Sequence, residues 1–436
     1  MHDTSQTAVS GSLDAGREMY RLIQRLFPIC RSITGNGVRE TLRILGQYLP
    51  LTVHEVPSGT AVFDWTVPRE WNIREAWIKN ARGEKIVDFA HSNLHVLNYS
   101  VPVHKTVSLG ELKGHLFSLP GQPGLIPYRT SYYQENWGFC LPHRQLLTLE
   151  EGEYEVMIDA TLEDGFLTYG ECYLPGATAE EVLFSCHMCH PSLANDNLSG
   201  VAVAAQLAQW LAGRDNRYSY RLVFIPGTIG SITWLSRNEE HLSRIRHGLV
   251  LTLLGDPGGV TYKKSRRGDA AIDRAVQYVL AGREQPHTVI DFFPYGYDER
   301  QYCSPGINLP VGCLMRTPHG QYPEYHTSAD NLDLVKPEAL ADSLSVLREV
   351  VTVLEHDVRY LNKFPKGEPQ LGRRGLYGLI GGDNDSQAMQ MAMLWVLNLA
   401  DGQHTLLDMA CRSGIPFELL YRTAALLRQT GLVEVM

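Results

Sequence analysis

No run in the 436 residues approaches the roughly 18 consecutive apolar residues that a membrane-crossing helix needs. The start, MHDTSQTAVSGSLDAG, lacks the basic and apolar regions of a secretory signal, so a cytoplasmic location without a membrane partner is expected. Positive charge is also short: 39 Lys plus Arg face 48 Asp plus Glu, a net charge of −9 that argues against a general binder of nucleic acid or anionic membranes. Cysteine is sparse, and its eight scattered positions show no small-domain disulfide spacing, which predicts reduced thiols. Cys186 and Cys189 make one CxxC, but no second CxxC completes a four-thiolate zinc site. Internal repeats are missing as well. A hydrophobic share of 44% is ordinary globular usage, and at about 150 residues per domain the length predicts two or three domains.

The chain's pattern changes twice. Residues 1–12 are small and polar and are expected to fray, after which Met19, Leu22, Ile23 and Leu26 recur at helical spacing. From 50 to 164, short β-branched and aromatic runs such as LTVHEV, EKIVDF and YEVMIDATL alternate with Gly and Pro, which predicts a small β-rich domain. Residues 1–49 and 165–362 together read as α/β. VLFSC, RLVFIPG, GLVLTLLGD, HTVIDFF and LPVGCLM are strand-like and are separated by helical stretches, so a mostly parallel sheet covered by helices is expected. Residues 366–436 read as two helices joined by a turn at Ser413-Gly414 and closed by an apolar LVEV strand, the pattern of a winged helix-turn-helix. That segment holds six Lys or Arg against seven Asp or Glu, so packing or protein contact ranks above DNA binding.

Chemistry concentrates where strands end. After VLFSC come His187, His190 and Asp196 in a turn-rich link, two imidazoles and a carboxylate that loop backbone can aim at one metal ion. Either histidine alone also suits a loop hydrogen bond, and Asp196-Asn197 ahead of Ser199-Gly200 also suits helix N-capping. A second loop, Tyr325-His326-Thr327-Ser328-Ala329-Asp330, carries another imidazole with Asp330 close enough to support it. Between them Asp256 follows the strand-like GLVLTLLG, and Asp298-Glu299 precede Pro305-Gly306-Ile307. His and Asp after successive strands are ligands zinc takes, and two zincs bridged by a carboxylate suit amide hydrolysis. Arg266, in the basic turn Lys263–Arg267, is a candidate for binding a substrate carboxylate, and a solvated turn fits it equally.

In this order the motifs resemble the M28 family (aminopeptidase Y/S type) of co-catalytic zinc peptidases. The phrases FDWTVPREWNIREAWI, SNLHVLNYSVPV, CHPSLANDNLSG, DERQYCSPGINLPVG and RTPHGQYPEYHTSADNLDLV resemble more closely its bacterial DUF4910 branch, across nearly the whole chain beyond residue 12. That branch inserts a small β-rich domain (DUF2172) into the peptidase domain and ends in a winged helix. The resemblance implies zinc, one or two ions, as the cofactor; in its two-metal pattern Asp196 bridges the two metals, His326 ligates one and Asp256 the other, and the first-loop ligand is His187 by position or His190 by phrase. It leaves Asp330 and Arg266 as substrate-binding candidates and Asp298, Glu299 and Tyr325 as candidate catalytic groups.

The chain departs from the branch at one position. Where the branch resembles Pro-Glu-Thr-Ile-Gly-Ser, this sequence reads Pro226-Gly227-Thr228-Ile229-Gly230-Ser231. Gly227 supplies neither a general base nor a ligand, so Glu299, Glu171 or Glu324 would have to substitute. The expected activity is a zinc-dependent aminopeptidase-like hydrolase using metal-activated water on a small peptide, aminoacyl or amino-acid-derived substrate. A metalloenzyme repurposed for transfer chemistry and a non-catalytic binding protein are the alternatives, and a homo-oligomer is open.

Overall fold

The computed structural model of the protein describes residues 3–376 and 384–436. The chain divides into two compact units: Met1–Asp273 with Arg283–Leu347, and Arg274–Gly282 with Arg348–Met436.

In the first unit the apolar runs make an eight-stranded sheet. Across it lie Leu51–Pro57, Phe166–Leu174, Ser219–Ile225, Glu181–His187, Ile245–Leu251, Val311–Met315, Val260–Lys263 and His287–Ile290. The four middle strands, Ser219–Ile225 through Val311–Met315, are mutually parallel, and antiparallel strands flank them. Every residue of Glu181–His187 is buried, as a strand covered on both faces requires. The chain leaves this strand, pairs Ser219–Ile225 on one side and returns to pair Ile245–Leu251 on the other. The crevice beyond its carboxyl end is therefore a topological switch point, where open α/β sheets hold ligands.

The β-rich segment forms its own four-stranded antiparallel sheet of Lys85–Asp88, Glu70–Lys79, Glu153–Glu163 and Val103–Ser108. Its boundary differs from the sequence reading, because LTVHEV pairs with Phe166–Leu174 and joins the main sheet. The insertion also stays within the first unit rather than standing alone. One apolar cluster runs from Ile78, Val156 and Trp137 to Leu183, Val223 and Leu253, so the two sheets share a core.

Three further differences have local causes. A helix spans Asp3–Leu26, since no proline interrupts the stretch expected to fray; residues 1 and 2 lie outside the described residues. Val260–Lys263 is a strand although the following basic residues mask it in sequence. The helix Pro337–His356 runs from the first unit into the second, so the division falls at residue 347 rather than at 362. The second unit pairs Asp401–Thr405, Arg359–Asn362 and Val433–Val435 beside the helices Asn384–Leu399, Leu406–Ser413 and Phe417–Gln429. Thr405 and Asp408 close a capping box on Leu406–Ser413, and Gly414 ends that helix at φ 69°, a conformation open to glycine. Among the described residues no helix is long and apolar enough to cross a membrane.

Candidate metal centre

Strand Glu181–His187 delivers His187 to the switch point. The next residues loop back through His190 into an irregular turn, Ala194–Ser199, whose Asp196 and Asn197 have non-helical backbone angles. That turn puts the Asp196 carboxylate against three imidazoles. His187 Nε2 lies 2.8 Å from Asp196 Oδ1, His326 Nε2 lies 3.0 Å from Oδ2, and His190 Nδ1 lies 3.4 Å from Oδ2 and 3.0 Å from the Asp196 carbonyl oxygen. Ligand atoms of His187, His190 and Asp196 all fall within 4.8 Å of one another, and the three side chains are buried.

Electrostatics favour a cation here. Burial pushes His187 down to about 4 and also lowers His326, so both imidazoles are neutral at pH 7 and have lone pairs to give. Burial disfavours charge on His190 too, but the Asp196 carboxylate outweighs it and holds His190 well above its ordinary value. Burial would raise Asp196, and the surrounding imidazoles, His190 first, keep it well below the usual carboxylate range. His187 Nδ1 is buried without a hydrogen-bond partner. Two buried imidazoles, the partly exposed His326 and one buried carboxylate, with one ring nitrogen unpaired, fit a divalent ion of the zinc type.

A pH dependence follows. A metal ion must displace the His190 proton, so zinc binding is expected to release about one proton near pH 7 and to weaken about tenfold per unit as pH falls. Calorimetry in two buffers of different ionisation enthalpy reads the proton count, and a count of zero would contradict the His190 assignment.

Second-layer groups hold this geometry. Asp330 is buried and accepts the backbone N–H groups of Asn195 at 2.6 Å and Asp196 at 3.0 Å, which fixes the turn that carries Asp196. Tyr128, from the inserted domain, presents its ring edgewise to His190 and His326 at centroid distances of 4.9 and 5.1 Å. Its N–H donates to the His326 carbonyl and Ser328 N–H donates to Ile126, so insertion and His326 loop are joined backbone to backbone. Tyr325 stacks on His326 at 4.0 Å. Tyr297 stacks on His187 at 3.6 Å and lies nearly parallel to His319 at 5.9 Å.

Residues 20–357 match a family described as a domain of unknown function, DUF4910, and residues 358–435 match a winged helix-turn-helix family. The chain belongs to the DUF4910 family. A Clostridium acetobutylicum relative, described as a polysaccharide biosynthesis protein with an aminopeptidase-like domain, is 52% identical over 428 residues, 98% of either chain. A crystal structure of a C. acetobutylicum protein described as a peptidase superposes with a TM-score of 0.93 at 51% identity, covering 99% of both chains. A zinc aminopeptidase from Bacillus subtilis shares the fold at a TM-score of 0.57 and 13% identity, covering 78% of this chain and 94% of its own. The α/β unit of this DUF4910 chain thus has the aminopeptidase fold.

Other sequence candidates stand apart from the cluster. Asp256 is buried and accepts from Thr317 Oγ1 at 2.6 Å, Gly258 N at 2.9 Å, Asn195 Nδ2 at 3.1 Å and Thr317 N at 3.3 Å. Those four bonds occupy both its oxygens, so it braces Asn195 beside the turn that carries Asp196. Asp330 is buried and engaged with the backbone N–H groups of Asn195 and Asp196. Glu299 is buried in an ion pair with Lys263 and also accepts from Tyr297 N. Asp298 accepts from Ser231 Oγ at 3.0 Å, its second oxygen is unpaired, and burial pushes it up to about 7. Arg266 is exposed and donates to Asn308. Glu171 pairs with Arg221 and accepts from Trp234 Nε1. Cys186 and Cys189 are free thiols, and Cys189 Sγ donates to the Gly227 carbonyl at 3.6 Å.

Sequence reasoning missed Tyr297 and His319, whereas Tyr128 opens the aromatic segment 128–139 that the sequence offers as a cleft wall. His319 is buried, and burial pushes it down to about 3. The available signal was the glycine at 227, which leaves a volume beside His187 for some other side chain to fill.

Proposed function

We propose that the chain is a zinc-dependent aminopeptidase-like hydrolase cleaving an amide bond in a small peptide or aminoacyl substrate. The observation supporting it most directly is the convergence of three imidazoles on one buried carboxylate at the carboxyl end of a central parallel strand. His187, His190, Asp196 and His326 would hold a single ion, because Asp256 is otherwise engaged and Gly227 offers no ligand. Zinc there supplies Lewis-acid polarisation of a substrate carbonyl. Around it Asp330 steadies the Asp196 backbone, while Tyr128 and Tyr297 keep bulk water from two sides. The wall contributed by the inserted domain supports a short substrate. Of the three carboxylates offered in place of a base at 227, Glu299 and Glu171 are bound to Lys263 and Arg221. Glu324, partly buried and two residues before His326, remains. Glu324→Gln is expected to lower kcat by about 10²–10⁴-fold with the metal retained.

The test is metal content per chain after chelator-free purification, beside cleavage of a panel of aminoacyl amides. Amide-bearing sugars join the panel because the C. acetobutylicum relative's description mentions polysaccharide biosynthesis. Stoichiometric zinc with cleavage that disappears in His187→Ala supports the hydrolase. Zinc without any cleavage turns the reading to transfer chemistry or binding, and absence of zinc overturns the metal centre itself.

A further inference from the structure

We propose that Gly227 and Tyr297 form one matched pair, in which the tyrosine ring occupies the place of a residue-227 side chain and thereby keeps a carboxylate out of the metal centre. The second clause rests on the zinc reading above; the first does not.

Gly227 is buried just beyond the strand Ser219–Ile225. A Cβ there would come within 2.6 Å of Tyr297 Cζ, with the ring edge closer still. Real side chains never pack so tightly, and a ring has no flexible end to swing aside. The occupant is itself fixed on all sides. One face lies on His187 at 3.6 Å, and the hydroxyl sits 3.4 Å from Cys189 Sγ, the thiol that donates to the Gly227 carbonyl. Its backbone N–H donates to the Glu299 carboxylate at 3.1 and 3.2 Å, and Glu299 is paired with buried Lys263. Lys263 Nζ also donates to the Tyr295 carbonyl at 2.7 Å, tying down the strand-to-helix loop on both sides of the ring. At Gly296 a Cβ would run into that same ammonium and carboxylate, and φ is +152°, so glycine is what lets the loop close over the ion pair. Tyr297 is thus held against His187 by a clamp unrelated to the metal ligands. The volume that a glutamate at 227 would need is filled by an uncharged ring.

A double-mutant cycle tests this on the full chain, with the melting temperature of the metal-free protein and the zinc affinity as readouts. Gly227→Glu alone is expected to lower the melting temperature by roughly 3–10 °C, because the new side chain collides with the ring. It should also weaken zinc binding by displacing His187. Tyr297→Ala makes room. Gly227→Glu with Tyr297→Ala should melt above the sum of the single effects by more than about 2 °C and bind zinc at least about tenfold more tightly than Tyr297→Ala alone. A merely structural role for the ring would not produce that gain. An additive cycle, or a Gly227→Glu protein as stable as wild type, overturns the pairing. A non-additive cycle in proteins that bind no zinc, wild type included, upholds the pairing and overturns its role at a metal centre. Zinc binding by wild type beside an additive cycle leaves the metal centre standing and overturns the pairing.

Discussion

Asp196→Asn is expected to weaken zinc binding by more than about 100-fold, beyond the 10–100-fold typical of losing an outer-layer partner. The substitution keeps the shape but removes the one negative charge on which His187, His190 and His326 converge. An amide can neither balance a divalent ion beside these buried imidazoles nor sustain the raised proton affinity of His190. Asp330→Asn supplies the contrast. Among the described residues its carboxylate hydrogen-bonds to the backbone N–H groups of Asn195 and Asp196, so its loss loosens the turn without deleting a ligand and should stay within 10–100-fold. Competition against a chromophoric chelator measures both. Equal losses in the two variants would mean that Asp196 acts on the site only through the turn, and unchanged binding in Asp196→Asn would remove it from the ligand set.

How much of this was legible in sequence depends on how local each determinant is. Strands buried on both faces announce themselves as continuous apolar runs, so the central sheet and its helices could be read from VLFSC, RLVFIPG and GLVLTLLGD. The two histidine-bearing loops could be read too, because residue type and strand-end position suffice to nominate a ligand. Orientation could not. Asp256 and Asp330 sit in polar loops as ligands would, yet both carboxylates satisfy groups of the protein itself, including backbone N–H groups. Spacing along a chain does not say which way a buried carboxylate points. The choice between His187 and His190 looked exclusive in sequence, whereas the turn at Asp196 lets both approach one carboxylate. The strand Val260–Lys263 was hidden for a related reason. Lys263 begins a run of basic residues that reads as a solvated turn, and only its non-local partner, 36 positions later, explains its burial.

That partner underlies the second large effect. Lys263→Met is expected to destabilise the first unit by about 3–5 kcal/mol, because it strands the Glu299 carboxylate in a pocket where both side chains are essentially inaccessible to water. Removing Lys263 Nζ also leaves the Tyr295 carbonyl without its donor, adding a desolvated acceptor to the uncompensated charge. Removing both charges, as Lys263→Met with Glu299→Leu, should cost less than Lys263→Met alone. An apolar pair of similar volume asks for no counter-charge, and what remains is the loss of the acceptor for Tyr297 N–H and of the donor to the Tyr295 carbonyl. Urea denaturation of the three proteins orders them, and a double variant no more stable than the single one would show that packing rather than charge dominates. The proposed metal centre offers a separate discrimination. Lys263 clamps the loop that carries Tyr297, while the His187, His190, Asp196 and His326 side chains come from other segments. Lys263→Met should therefore loosen the ring over His187 and lower global stability, yet weaken zinc binding far less than Asp196→Asn does. A loss of affinity as large as that of Asp196→Asn would mean that the aromatic cover, and not only the ligand set, determines whether the ion is held.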